Sequence, residues 1–248
     1  MNEGLAIALT GFTAAALNSL GGGGSFVTLP VLLAFGLSGP AANAVGTVGL
    51  LPGGMLAAWA YRSDLSPFPG LGLPALLSVS LIGGAAGAVL LIATPTPVFD
   101  ALLPWLVMIA TLAFAMAPWL RRLRRRASVN AGTLLAVQAV LSVYTGYFGG
   151  GVGIMMVAVW SLVTSKTPHE ANALRMLLVP AANAAAAGLF LMSGLAPLYH
   201  TSILLLAGLM GGWLGASAMK RLRPAALRYA IIAIGASLAC VMFVRAYT

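Results

Sequence analysis

The sequence predicts an all-α integral membrane protein made of two inverted repeats, each a glycine-broken re-entrant helix hairpin followed by three spanning helices. Three observations predict this class. Of the 248 residues, 60% are hydrophobic and only 7% are charged, with a mean hydropathy of +1.00. Soluble domains carry about 25% charged residues, and a soluble fold of this size could not hide so much apolar surface. The apolar runs fall into two matched sets, and the longest run of each set is cut by a cluster of glycines. Finally, the basic residues gather on one face only if those two cut segments fail to cross.

The elements follow in order. Met1-Asn2-Glu3-Gly4 lacks the basic flank of a secretory signal, and the apolar run behind it is longer than a signal core, so no cleaved leader is expected. Apolar runs then cover 4–36, 41–61, 71–93 and 98–120, and again 131–164, 169–193, 197–219 and 225–247. About 20 apolar residues span a bilayer as a helix, which suits every run except the first of each set. Segment 4–36 is cut by Gly21-Gly22-Gly23-Gly24, and segment 131–164 by Gly149-Gly150-Gly151 with Gly153 close behind. Glycine loses the most backbone entropy in a helix, so such clusters predict breaks. Non-helical backbone at membrane depth survives only where protein buries it or where it lines a wet cavity.

The repeat extends beyond the glycines. Ala42-Asn43-Ala44 recurs as Ala171-Asn172-Ala173, and Leu51-Pro52 is mirrored by Val179-Pro180. The organisation expected is a first transmembrane repeat over 1–120, a basic cytoplasmic loop over 121–130 and a second repeat over 131–248. Paired interrupted segments in corresponding positions of two halves are the best sequence pointer to a transporter site.

Charge decides how the broken segments run. If both cross, Arg62 and the Arg121–Arg126 cluster face one side, against Lys166, Lys220, Arg221, Arg223 and Arg228 on the other, and no orientation signal results. If both are re-entrant, all of these share one face, and of the remaining basic residues only Arg175 and Arg245 lie off it. The positive-inside rule makes that face cytoplasmic. The expected protein has six crossings and two hairpins, sits in the cytoplasmic (inner) membrane and places both termini outside. A net charge of +9 then serves orientation, with Arg121, Arg122, Arg124, Arg125 and Arg126 meeting anionic lipid headgroups, and nucleic acid is not an expected partner. Cys240 is the only cysteine, so no intrachain disulfide forms.

The glycine tips carry the functional reading. A half-helix that starts at midplane has unpaired N–H groups and about half a positive charge at its first turn. Without Cβ atoms, Gly21, Gly22, Gly23 and Gly24 can approach a ligand closely, as can Gly149, Gly150, Gly151 and Gly153. Such a site prefers a small anion with several acceptor oxygens. Asn18 and Ser25 flank the first tip, and Tyr147 and Phe148 flank the second, supplying hydrogen bonds and a wall. Asn43, Asn172 and Asn183 are intramembrane amides near the matched prolines, either site groups or satisfied interhelical bonds. Arg175 is the only basic residue well inside a span; such an arginine marks a function by default, and snorkelling to the surface is the competing account. Glu3, Asp64, Asp100 and Glu170 all fall at ends or gaps, so a carboxylate proton relay has no members, and any co-transported proton would ride on the substrate. No Walker loop, HExxH, CxxC or Ser-His-Asp spacing supports an enzyme or a cofactor.

The run from Asn18 to Pro30, with Ala42-Asn43-Ala44 and Leu51-Pro52-Gly53, resembles the first signature of the sulfite exporter TauE/SafE family, also called the toluene sulfonate uptake permeases. Gly146–Ile154 and Ala171-Asn172-Ala173-Leu174-Arg175 resemble its partner signature. The family often has lysine where Arg175 stands and a polar residue where Met176 stands. The resemblance implies secondary transport of sulfite, thiosulfate, sulfoacetate or aryl sulfonates, driven by membrane potential and proton gradient. An anion channel on the same scaffold is the alternative reading, separated from it by saturation and counterflow.

Overall fold

In the computed structural model, every residue is described except 1, 21, 67, 69, 123–128, 165, 219–223 and 248. The described residues form ten α-helices, with a single 3-10 turn at Arg62–Asp64 and one isolated bridge between Phe68 and Leu71.

The first broken segment is α1 (Glu3–Leu20) and α2 (Ser25–Ala34), interrupted at the glycine run. It is followed by α3 (Gly39–Ala60), α4 (Leu73–Ala93) and α5 (Thr96–Arg122). The second broken segment is α6 (Ala131–Tyr147) and α7 (Val152–Val163), followed by α8 (Pro168–Met192), α9 (Leu198–Ala218) and α10 (Pro224–Tyr247). Local chemistry sets the starts. Asn130 caps α6 by accepting the Thr133 N–H at 2.8 Å. Thr167 and Glu170 form a reciprocal capping box on α8, whose first turn also carries Pro168.

Among the described residues, Gly39–Ala60, Leu73–Ala93, Thr96–Met116 and His169–Met192 are long and apolar enough to cross a membrane. The other two expected crossings coincide with α9 and α10, of 21 and 24 residues, in which Leu198–Leu214 and Tyr229–Val244 are apolar. Large apolar side chains such as Trp59, Ile82, Val140, Met192 and Trp213 stand exposed on the outside. An apolar exterior of that extent suits lipid and not water.

The helices pack reciprocally between the two sets. α1 lies on α9 and α6 lies on α4; α3 meets α9 and α8 meets α4; α2 touches α10 and α7 touches α5. Small residues bring these backbones together. Gly11 faces the Leu204 backbone and Gly211 the Phe12 backbone, while Gly84 and Gly146 lie backbone to backbone. α3 and α8 meet where Gly54 rests 3.2 Å (as an added methyl) from the Pro180 ring.

Candidate functional site

A cavity of about 80 Å3 opens between α3, α8 and the two helix breaks. About 10–15 Å3 admits one water, so this space has room for a small polyatomic guest. Gly22 and Gly23 of the first break and Gly149, Gly151 and Gly153 of the second all line it. One face of α3 supplies a smooth wall through Gly46, Leu50, Gly53 and Ala57, spaced three or four residues apart as a helix face requires. Asn18, Ser25 and Phe148 complete the sides, and α8 contributes Arg175 and Asn183.

Arg175 dominates the electrostatics. Its side chain is only 4% exposed, so it does not snorkel to the surface. Nε donates to Asn172 Oδ1 at 3.1 Å, and Nη2 donates to Met176 Sδ at 3.3 Å. Nη1 lies against both breaks: a methyl on Gly153 would collide with it, and one on Gly22 would sit 3.5 Å away. Among the described residues no carboxylate answers this charge. Glu3 pairs with His200 at 2.9 Å and Asp64 with His169 at 3.4 Å, Glu170 is held in the α8 capping box, and Asp100 lies beside Gly39. An isolated buried charge is costly, and the usual remedy is a partner of opposite sign. Asn183 adds a second unmet need, since its buried Oδ1 has no hydrogen-bond partner among the described residues.

Each break is fixed by one side chain. At the first, Gly22 and Gly23 adopt φ values of +86° and +108°, and Asn18 Oδ1 accepts the Gly24 N–H at 2.8 Å. At the second, Gly149 and Gly151 adopt φ values of +70° and +71°, and the Tyr144 hydroxyl donates to the Gly150 carbonyl at 2.8 Å. The Gly151 carbonyl accepts the Ile154 and Met155 N–H groups at 3.1 and 3.2 Å, which starts α7. The Gly151 and Gly153 N–H groups have no hydrogen-bond partner among the described residues.

Several residues singled out in the sequence lie off the cavity. Asn43 donates through Nδ2 to the Tyr147 carbonyl at 3.0 Å, tying α3 to the end of α6. The Tyr147 ring packs on Phe99 at 5.6 Å, and its hydroxyl meets Thr94 Oγ1 at 3.5 Å. Gly24 is enclosed by the Ala14 carbonyl and Asn18, while the Phe148 ring fills the space beside Gly150. Asn172 acts one step back, holding Arg175. Gly21 lies outside the described residues, as do Arg124, Arg125 and Arg126, and Arg121 and Arg122 are described in backbone only.

Other residues carry more than the sequence indicated. Thr47 and Met176 line the cavity; Met176 stands beside Arg175, whereas Thr47 is marked only by lying one turn after Asn43. Gln138 is fully buried and donates to Ser80 Oγ at 2.8 Å and Ser142 Oγ at 3.1 Å, joining α6 to α4 away from the cavity. At the mouth of the α7–α8 connection, Lys166 reaches Ser66 Oγ at 3.1 Å and lies 5.1 Å from the Phe68 ring centre. Burial pulls its ammonium below the usual lysine range.

The profile of the family described as Sulfite exporter TauE/SafE matches residues 7–242. A "Probable membrane transporter protein" of Haemophilus influenzae is 31% identical over 212 residues, covering 83% of this chain and 81% of that protein. A "Probable membrane transporter protein ORF9" of a Sinorhizobium species is 29% identical over 215 residues, covering 85% and 79%. No solved structure matches the chain. The chain therefore belongs to the TauE/SafE family: it is a multi-pass membrane transporter and not an enzyme.

Proposed function

We propose that this TauE/SafE-family transporter is a secondary transporter of a small sulfur-containing anion, sulfite or an organosulfonate, held between the two glycine breaks and moved by alternating access. One observation carries the reading: Arg175 is a buried cation with no carboxylate partner among the described residues, and it lies on the wall of a cavity that both breaks line. A transported anion supplies the missing charge, and it leaves again because no fixed carboxylate competes for the arginine.

The reciprocal packing of the two helix sets supports repeats over 1–120 and 131–248 in opposite orientations. With the broken segments re-entrant, the chain makes six crossings in the cytoplasmic membrane with both termini outside. The α3 wall of the cavity runs from Gly46 to Ala57, toward the end that carries Arg62. The charge count makes that end cytoplasmic, so this conformation reads as inward-facing. The Arg121–Arg126 run meets anionic lipid there. A co-transported proton has no carboxylate to ride on near the cavity and travels on the anion.

The test is a thermal-shift panel of sulfite, thiosulfate, sulfoacetate, taurine and toluene sulfonate on purified protein, followed by counterflow in liposomes. A ligand at one hundred times its Kd adds about 2.7 kcal/mol to stability, so the true substrate raises the melting temperature and shows saturable, trans-stimulated flux. No shift from any sulfur anion would overturn the reading, and flux without saturation or counterflow would replace it with a channel.

A further inference from the structure

We propose, resting on the anion site just described, that Tyr144 is a positioning residue that fixes which face of the Gly150–Gly151 peptide the anion meets. A peptide flanked by two glycines has no Cβ to hold it, so rotating it by half a turn costs little. The flexibility that lets this backbone approach a ligand therefore leaves its polarity undetermined. Flipped one way it offers an N–H donor to the cavity; flipped the other way it offers a carbonyl oxygen, which repels an anion.

Tyr144 settles the choice. Its hydroxyl donates to the Gly150 carbonyl oxygen at 2.8 Å, and its ring is braced edge-on against Phe148 at 6.1 Å. In a trans peptide the carbonyl and the following N–H point in opposite directions. Holding the Gly150 carbonyl on the Tyr144 side thus turns the Gly151 N–H to the other side. Gly151 lines the cavity and Gly150 does not, and the Gly151 N–H has no partner among the described residues. The same cavity holds the buried, carboxylate-free Arg175, which independently calls for an anion. Tyr144 does not itself line the cavity; its ring rests on Phe148, which does, so Tyr144→Phe, which keeps the ring, isolates the hydrogen bond to the peptide.

The consequence scales with ligand charge. When the pin is lost, the carbonyl populates the cavity face, and its repulsion is larger for a dianion than for a monoanion. The measurement is the Kd of thiosulfate and of methanesulfonate for purified wild type, Tyr144→Phe and Arg175→Gln, with methanesulfonate read by displacement of thiosulfate if it binds weakly. Tyr144→Phe is expected to weaken thiosulfate about tenfold and methanesulfonate by no more than about threefold, with the melting temperature little changed. 3-Fluorotyrosine at position 144 keeps the hydroxyl and restores the wild-type ratio. A purely structural role would weaken both ligands by one factor. Equal losses, or no loss, overturn the inference while leaving the anion site intact so long as Arg175→Gln abolishes binding; a wild type that binds neither probe overturns both. Should Tyr144→Phe melt too early to assay, 3-fluorotyrosine is compared with 3,5-difluorotyrosine in buffer acidic enough to keep both phenols protonated, where the second is the stronger donor. An unchanged thiosulfate affinity across that pair also overturns the inference.

Discussion

The two glycine breaks look alike in sequence and are held in opposite senses. At the first, a side-chain acceptor takes a backbone donor: Asn18 Oδ1 holds the Gly24 N–H, and the Gly23 carbonyl is left to accept Phe26 N–H at 3.1 Å. At the second, a side-chain donor takes a backbone acceptor: the Tyr144 hydroxyl holds the Gly150 carbonyl, and the amides of Gly151 and Gly153 stay unpaired. Arg175 repeats the asymmetry, since its Nη1 fills the space beside Gly153 but stands at van der Waals distance from Gly22. Duplicated chain does not imply duplicated chemistry. Both breaks keep unpaired amides on the cavity among the described residues, Gly23 and Ser25 at the first and Gly151 and Gly153 at the second, and what differs is the sense of the bond that pins each.

The largest predicted effect falls on the one group both breaks share. Arg175→Gln removes the cavity's only described cation and leaves Asn172 and Met176 without their donor. Removing one partner of a buried, hydrogen-bonded charge pair costs about 2–5 kcal/mol, so the Kd for the transported anion should rise at least about thirtyfold. Arg175→Lys keeps the charge without the planar fork and should recover part of it. Titration of purified protein checks both, and unchanged affinity in Arg175→Gln would move the site elsewhere.

A smaller effect separates the breaks directly. In Gly153→Ala the new methyl lands where the guanidinium now lies, so Arg175 must move, and affinity should fall about tenfold with a modest change in melting temperature. In Gly22→Ala the methyl meets Arg175 at an ordinary 3.5 Å, but the residue is held at a φ of +86°. That conformation costs an L-residue roughly 1–2 kcal/mol, so stability should drop while affinity stays within about twofold. Equal effects on affinity would erase the asymmetry between the breaks.

Much of this was legible in the sequence. Run length and glycine clusters located the helices and their breaks, because hydrophobic length and backbone entropy act locally. Arg175 stood out because a charge in an apolar run needs a reason. What the sequence withheld was helix rotation. Asn43 and Tyr147 were sensible cavity residues by position, but Asn43 turns to the Tyr147 backbone carbonyl and the Tyr147 ring turns to Phe99. Asn172 and Arg175 lie three apart on one face, and only packing decides that the arginine meets the cavity while the asparagine holds it. Gln138 was invisible as a tie because its partners Ser80 and Ser142 are small hydroxyls on a face that only the packing of α4 on α6 defines. Tyr144 was hidden for the same reason: its role depends on one backbone oxygen six residues on.

The smallest change in stability tests the spent donor of the first break. Asn18→Ala frees the Gly24 N–H beside the start of α2, and losing one such hydrogen bond typically costs about 1 kcal/mol. Asn18→Asp keeps an acceptor at the same place, and a negative charge suits a helix start, so stability should hold. Yet Asn18 also lines the cavity, and the new carboxylate would face both Arg175 and the anion, competing for the first and repelling the second. Affinity should therefore fall about tenfold in Asn18→Asp, by the like-charge repulsion expected at partly screened range, and by no more than about threefold in Asn18→Ala. The two variants thus split stability from affinity in opposite directions at one residue, which melting curves and ligand titrations read separately. If both lost stability equally and neither lost affinity, Asn18 would be a backbone tie alone and the first break would have no part in holding the anion.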